Sequence, residues 1–583
     1  MAMMCIFTIL LPLAAGFLVL LPACRNMAMR LLLPLAALPA LFTAIFAISG
    51  EIEVPSLILG LRFGMGIYGR TFLAAAALVW LASSLFTLGY MAGKERVTSF
   101  VFFFCLTMSG NFGLIVARDI PSFYTFFALM TYAAYGLVVH DRRPESLFAG
   151  KIYLIMALCG EAAIITAIFL AVSSAPGIGV EDILPALQSS PWKNIILTAA
   201  FIGFGVKAGA FLLHFWLPLA HPAAPSPASA VLSGSMIKAG LLGWLHFFPA
   251  GSMDFHFWGI VFLCFGVSAL FYGVVVGLLQ FNPKTILAYS SISQMGLMTF
   301  TLGVGLYDAD LWPVVMPVLL VLVLNHSLSK GLLFLMTGAT GLVGKSRISA
   351  ILFSTALFFP VLALAGFPWT AGAAVKYGLK GAASASSVAW PVEPSLLLTL
   401  SGVATALLLG HFLIRLQEKM NFKEQRLHFY MWLPLAALLS VLVVVMIIAP
   451  HFMGMETDIE KMTHYDSWST AWPVLAGLLL ALPFRVFCAR CALPEFQPGK
   501  RAGQMARPFF RLNLWGVIRL AQRKRRLTRF FWTQYAALFD RGKDSYPVFK
   551  WIEDRFMHWN TAGLMFVTLL VVFILLTLFQ GQS

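Results

Sequence analysis

The sequence predicts an all-α polytopic membrane protein with about sixteen membrane-crossing helices. Sixty per cent of its 583 residues are apolar and only 11% are charged, against roughly 25% charged in soluble domains. Apolar runs of about 18 residues or more, long enough to cross a bilayer as helix, recur along the whole chain. The charges between those runs alternate in sign, as loops on two sides of a membrane do.

In order, the expected spans fall near 2–22, 30–48, 71–91, 98–117, 120–139, 152–174, 195–217, 228–249, 256–280, 284–305, 313–338, 348–380, 394–416, 429–449, 470–486 and 562–580. The first has neither a basic leading segment nor a small-residue cleavage site, so it reads as a retained helix rather than a signal peptide. Every second loop is basic: Arg25 and Arg30, Lys94 and Arg96, Arg142, Arg143 and Lys151, Lys345 and Arg347, then Lys419, Lys423 and Arg426. The positive-inside rule assigns these loops to the cytoplasm. The intervening loops, with Glu51 and Glu53, Glu181 and Asp182, Asp308 and Asp310, and Glu456, Asp458 and Glu460, are expected outside together with both termini. The chain is thus expected to be a multi-pass protein of the cell inner (plasma) membrane.

Between the last two spans the rhythm changes. Residues 487–561 hold fifteen Lys and Arg against five acids, about +10 of the net +16. Aromatics such as Phe509, Trp515, Phe531, Trp532 and Trp551 are threaded through it. That pattern predicts a basic amphipathic helix along the cytoplasmic membrane surface or along a partner, followed by an anchor helix in 562–583. Beside such an anchor, the run Arg523-Lys524-Arg525-Arg526 reads as membrane-proximal rather than as a nucleic-acid contact.

Seven cysteines offer little chemistry. Cys5, Cys24, Cys105, Cys159 and Cys264 stand alone in apolar runs, which suggests neither a disulfide framework nor an iron–sulfur cluster. Cys488 and Cys491 form a C-x-x-C without two further ligands nearby and read as reduced thiols at the membrane edge. No phosphate-binding or dinucleotide motif occurs, so no cofactor and no metal are expected on this chain.

The informative residues are those that lipid should exclude. An ionisable side chain at a helix centre costs on the order of 2.5–3.5 kcal/mol and marks a cavity, a partner or a pathway. Glu161, in CGEAA, is the one carboxylate deep in an expected span. Lys207 lies midway along 195–217, and His214 seven positions later is expected on the same helical face. Pro218, Pro222, Pro225 and Pro227 then interrupt the backbone before Lys238. His326 and Lys330 stand one turn apart, after a hydroxyl and amide stripe from Tyr289 to Gly296. Gly366 and Pro368 break the next span ahead of Lys376, and His411 lies in the span after that. One buried lysine can simply neutralise one carboxylate, and a lone histidine is usually a packing group. Four lysines, three histidines and one glutamate outnumber any such pairing. Amines without counter-charges in a low-dielectric surrounding release protons readily, so the simplest role for the row is a buried, hydrated proton path.

These motifs resemble the antiporter-like subunits of respiratory complex I, membrane-bound hydrogenases and the Mrp sodium/proton antiporters. The likeness covers roughly residues 60–420. It is carried by GFGVKAGAFLLHFWLPLAHPAAPSPASAVLSGSMIKAG (203–240), LAYSSISQMG (287–296), NHSLSKGLLFLMTG (325–338) and LALAGFPWTAGAAVK (362–376). The resemblance implies two inverted five-helix repeats, 98–249 and 256–416, each a proton half-channel with a broken helix, the breaks lying in the helices of Lys207 and Lys376. Residues 1–97 would be leading helices and 429–486 additional ones. By position, Lys207, Lys238, Lys330 and Lys376 match the family's path lysines, and His326 a histidine of its central hydrophilic axis. The end of the chain resembles the lateral helix and anchor of the most distal complex I subunit.

One departure concerns the fifth helix, where the family carries a glutamate in a W-E-L-M-type motif that pairs with the first broken-helix lysine. This chain reads PSFYTFFALMTYAAYG, with Ala128 where the acid belongs. Glu161 is the expected substitute. The resemblance implies a proton-translocating subunit, with protons or possibly sodium as cargo, whose partners are other membrane subunits, the lipid bilayer and, through those subunits, a peripheral redox module. The alternatives are a cation/proton antiporter or proton-driven inorganic-carbon uptake subunit, and a degenerate scaffold.

Overall fold

The computed structural model describes residues 2–46, 50–54, 60–340, 347–418, 429–452 and 467–491. Residues 1–52 and 62–496 form one compact unit, and residues 53–61 and 497–583 a second. Of the expected surface segment 487–561, the part beyond Cys491 lies outside the described residues, as does the anchor 562–583 and as do the Cys488 and Cys491 side chains.

The first unit is helical, as a bilayer requires: without water to bond to, each backbone amide must be satisfied within its own segment. Helices α1 (Ala2–Leu18), α2 (Arg25–Phe46) and α3 (Gly69–Tyr90) lead, with two short strands, Glu51–Val54 and Leu61–Gly64, between the last two. Then one order of elements, three long helices, a broken one and a final long one, occurs twice. The first run is α4 (Val97–Val116), α5 (Ile120–Val138), α6 (Pro144–Val172), the pair α8 (Lys193–Ala208) and α9 (Leu217–Ala223), and α10 (Ser226–Phe247), with a short α7 (Ile183–Ser189) in the connection. The second is α11 (His256–Leu278), α12 (Pro283–Tyr307), α13 (Trp312–Ala339), the pair α14 (Arg347–Ala365) and α15 (Ala371–Ala385), and α16 (Pro394–Gln417). Helices α17 (Phe429–Phe452) and α18 (Ser467–Cys491) follow.

Among the described residues, ten helices are long and apolar enough to cross a membrane: α2, α3, α4, α6, α10, α11, α13, α16, α17 and α18. Five other expected spans correspond to α1, α5, α8, α12 and the α14–α15 pair, which are shorter, more polar or interrupted. Two spans expected as continuous are not. The helix begun at Lys193 stops at Ala208, where Gly209 turns to φ +69°, and 348–380 is divided by Gly366 at φ +84°. Glycine takes that left-handed conformation without a Cβ clash, so both positions release the chain from the helix. His214 therefore does not share a helical face with Lys207, contrary to the reading of a continuous span; it lies past the break.

The other helix starts follow local chemistry. Asp119 caps α5, accepting from the Ser122 amide at 2.7 Å and the Ser122 hydroxyl at 2.5 Å. Asn282 caps α12 through the Lys284 amide, and Thr370 caps α15 through the Ala373 amide. Asp308, beyond the end of α12, accepts from Ser386 and from the Ser387 amide and hydroxyl. Partial burial pushes its carboxyl up, and those hydrogen bonds outweigh this and hold it below the usual carboxylate value.

Small residues set the helix pairing. In α4, a Cβ at Gly110 would strike the Met130 backbone of α5; in α11, one at Gly266 would lie 2.6 Å from the Phe300 nitrogen of α12. Helices α10 and α12 are buried on nearly every side, as is the central part of α13, whereas α17 and α18 expose Ile447 and Leu479. Helices enclosed by protein can be more polar than lipid would allow, and these three carry Lys238, the hydroxyl and amide stripe of α12, and His326 with Lys330.

Candidate functional site

Lys207 occupies the last turn of α8, just before the break, and is buried. Its Nζ donates to Thr131 Oγ1 at 3.0 Å and to the Tyr153 hydroxyl at 3.4 Å. That hydroxyl in turn donates to the Thr131 carbonyl at 2.8 Å. The break supplies support as well, since Trp216 Nε1 reaches back to the Val206 carbonyl at 2.7 Å.

Glu161, 3% exposed, projects from α6 into the same place. Together with Lys207, Thr131, Tyr153 and Trp216 it walls a cavity of about 20 Å³, enough for one water. One carboxylate oxygen accepts from Tyr132, and the other has no hydrogen-bond partner among the described residues. Ala128 is half-buried on α5, one turn from both Tyr124 and Tyr132. The carboxylate of α6 thus meets the stripe of α5 on which the fifth-helix acid is missing.

Lys238 follows a π-helical turn, Leu232–Met236, in the middle of α10. Its Nζ donates to the Ser233 carbonyl at 2.6 Å. The Ser233 and Ser291 hydroxyls pair at 2.7 Å, Ser291 donates to the Leu287 carbonyl at 2.9 Å, and Lys330 Nζ donates to that same carbonyl at 3.0 Å. Hydrogen bonds therefore link residues of α10, α12 and α13, with Lys238 on the carbonyl of Ser233 and Ser291 on its hydroxyl. Lys238 also lines a cavity of about 10 Å³ with Asn111, Ser235 and Ser327. Asn111 is fixed there by Trp80 Nε1 at 2.8 Å and by the Ser235 hydroxyl.

His326 is fully buried one turn before Lys330, with neither ring nitrogen bonded among the described residues and both Lys238 and Lys330 within electrostatic reach. Beyond it the chain of polar groups crosses the end of α14. Asn325 donates to the Ala363 carbonyl at 3.1 Å, and Lys376 to the Ala365 carbonyl at 2.5 Å. The ammonium group of Lys376 thereby sits on the free carbonyl end of a helix, where the helix dipole favours a cation. Lys207 precedes its break and Lys376 follows its own.

Two expected residues stand apart. The His214 ring lies 4.8 Å from that of Tyr272. His411 bonds the Gln280 carbonyl at 2.9 Å and meets Phe484 of α18. Neither has a hydrogen bond to a lysine of the row. Other residues join the site unforeseen. His221, in the Pro-rich link, is fully buried and stacked on Phe334 at 4.4 Å, with Lys284, Lys330 and Lys238 in electrostatic range. Lys284 donates to the Ala224 carbonyl at 2.8 Å. In the sequence, His221 looks like a loop residue and Lys284 like an edge cation; the AHPAAP segment of the resembling motif was the available signal for the first. Among the described residues no cluster of His, Cys, Asp or Glu could hold a metal ion.

Residues 117–408 match the family model described as NADH:quinone oxidoreductase/Mrp antiporter, TM. Hydrogenase-4 component B of Escherichia coli is 31% identical over 277 residues, 45% of this chain and 41% of that protein. Na(+)/H(+) antiporter subunit A1 of Staphylococcus aureus is 25% identical over 334 residues, 53% of this chain and 41% of that protein. The matched region spans about two-fifths of the length of these relatives. In fold, the chain is similar to a chain of the Mrp complex from Dietzia sp. (TM-score 0.67, 16% identity, 82% of this chain and 100% of that one). It is also similar to a chain of the membrane-bound sulfane sulfur reductase, an archaeal respiratory membrane complex (TM-score 0.63, 20% identity, 80% and 99%).

Proposed function

We propose, from the premise that the chain belongs to the NADH:quinone oxidoreductase/Mrp antiporter transmembrane family, that this multi-pass membrane protein is the proton-translocating subunit of a multi-subunit energy-converting complex. The redox chemistry resides on partner subunits, and this chain supplies a path with no cofactor of its own. Protons move among Glu161, Lys207, Lys238, His326, Lys330 and Lys376, with the two helix breaks providing the carbonyls and space that a continuous helix would close off.

One observation carries the reading: the linkage Lys238–Ser233–Ser291–Leu287–Lys330, which joins the first run of helices to the second. The residue types favour protons over sodium. Hard cations are held by oxygen ligands, whereas this row is made of amines and imidazoles with Glu161 as its one deeply buried carboxylate among the described spans. The alternation of loop charge supports a topology with both termini outside and the basic surface segment in the cytoplasm, where it would hold neighbouring subunits.

Lys330→Ala tests the proposal. Coupled proton transport, followed as acidification of sealed vesicles, should be lost while the variant still assembles with its partners. Undiminished transport would remove Lys330 from the path.

A further inference from the structure

The path above leaves out a larger cavity, about 270 Å³, walled in part by Gly69, Ile115, Arg118, Glu181, Leu242 and His246. Ile115 also walls the small cavity that holds Lys238. The same three helices run from one cavity to the other. On α3, Gly69 lines the larger cavity and Phe72 the smaller; on α4, Ile115 lines both; on α10, Lys238 lines the smaller, and Leu242 and His246 the larger. Lys238, Leu242 and His246 are spaced i, i+4, i+8, so they share one broad face of α10, and Lys238 and His246 are separated by about 12 Å along its axis.

What divides the cavities is apolar. Ile115 and Leu242 are 7% and 2% exposed and stand between a lysine on one side and a histidine on the other. Apolar constrictions of this kind close a pore by excluding water and open when they are wetted. On the outer side the charges are balanced: Arg118 pairs with Glu51 at 2.8 Å and with Glu181 at 3.8 Å, and Arg62 with Glu181 at 3.1 Å. His246 meets Phe123 edge-on at 5.2 Å, with Arg118 within electrostatic reach. A polar rim without excess charge suits water and protons rather than a bound ion.

We propose that this cavity is a second mouth of the proton path, in which His246 passes protons between the surface and Lys238 and Ile115 with Leu242 forms the gate. The imidazole takes a proton from water on one ring nitrogen and releases one from the other, through water in the wetted constriction, to the Lys238 amine. No oxidant or further reactant is needed. The inference rests on the proton-path reading above, and its test needs only an imposed pH gradient, so the two can fail separately.

Leu242→Asn in the intact complex should wet the gate and make an imposed gradient collapse severalfold faster. Adding His246→Leu should then bring the collapse back to near the parent rate, since the acid–base group that carries the leak is gone. A merely disrupted fold would leak regardless of residue 246. No leak in Leu242→Asn, or a leak indifferent to His246→Leu, overturns the proposal. Ile115→Asn supplies the same test from the facing helix. Should neither variant accumulate, a cysteine at Leu245, which also lines the larger cavity, supplies the test: Leu245→Cys must react with a membrane-impermeant thiol reagent from one side of the membrane, above the level of the parent chain, and failure to react from either side also overturns it.

Discussion

Glu161→Gln is the substitution that most directly tests how this chain does without the fifth-helix acid. Glu161 and Lys207 line one small cavity. Opposite charges across such a gap, taken as about 6 Å apart, couple by about 3 kcal/mol at an effective dielectric near 20, roughly a hundredfold in the balance between charged and neutral lysine. Gln keeps the shape and a hydrogen bond to Tyr132 but removes the charge, so transport through Lys207 should fall by one to two orders of magnitude. The assay is pH-gradient formation in sealed vesicles that contain the whole complex, with subunit composition checked in mild detergent. Ala128→Glu added to Glu161→Gln should restore part of the flux, because position 128 lies one turn from Tyr132 on the stripe that Glu161 touches. Tyr132→Phe should have a smaller effect, since it removes one hydrogen bond to the carboxylate, about 1.5–3 kcal/mol, and leaves the charge. Wild-type flux in Glu161→Gln, or no rescue by the second substitution, would refute the compensation and favour the scaffold alternative.

Other outcomes follow from the same geometry. Ser233→Ala and Ser291→Ala each remove the hydroxyl pair between the two lysines, about 1 kcal/mol of interaction. Each should slow transport, and the double variant should be no worse than either single one, as members of one link are not additive; additive losses would show that the two serines act separately. Asp308→Ala should lower the melting temperature by removing the tie to Ser386 and Ser387. In the parent chain this tie is present above the ordinary carboxylate range and is lost as pH falls through the lowered folded value, below about pH 4. Thermal scans at neutral and acid pH should show the variant differing from the parent only at the former. Deleting residues 487–583 should release the subunit from its complex while the helices through α17 stay folded, and stoichiometric co-purification of the truncated chain would end the idea of a clamp.

Much of the site could be read in the sequence because membranes make polar residues conspicuous. Lys207, Lys238, Lys330 and Lys376 stand out against apolar neighbours by insertion cost alone. The breaks are marked by Gly and Pro, which act through local backbone chemistry. His246 and Ser233 were not legible in this way, and Ser291 only as one member of the polar stripe from Tyr289 to Gly296. A serine in an apolar helix usually bonds its own turn, and only the approach of α12 to α10 pairs these two hydroxyls. His214 shows the opposite error: periodicity put it on the face of Lys207, and one positive φ at Gly209 removed it.

Sequence by itself determined that the chain is helical, that it crosses a membrane many times, and which amines and carboxylate are costly to bury, because each of these depends on composition or on residues close together in the chain. Tertiary structure alone decided which of those groups meet. Glu161 reaches the stripe of Ala128 across a helix pair, Lys330 reaches the Leu287 carbonyl, and Lys376 crowns the end of α14. Such contacts depend on helix rotation and on glycine-set interhelical distances, and neither leaves a periodic trace in the order of residues.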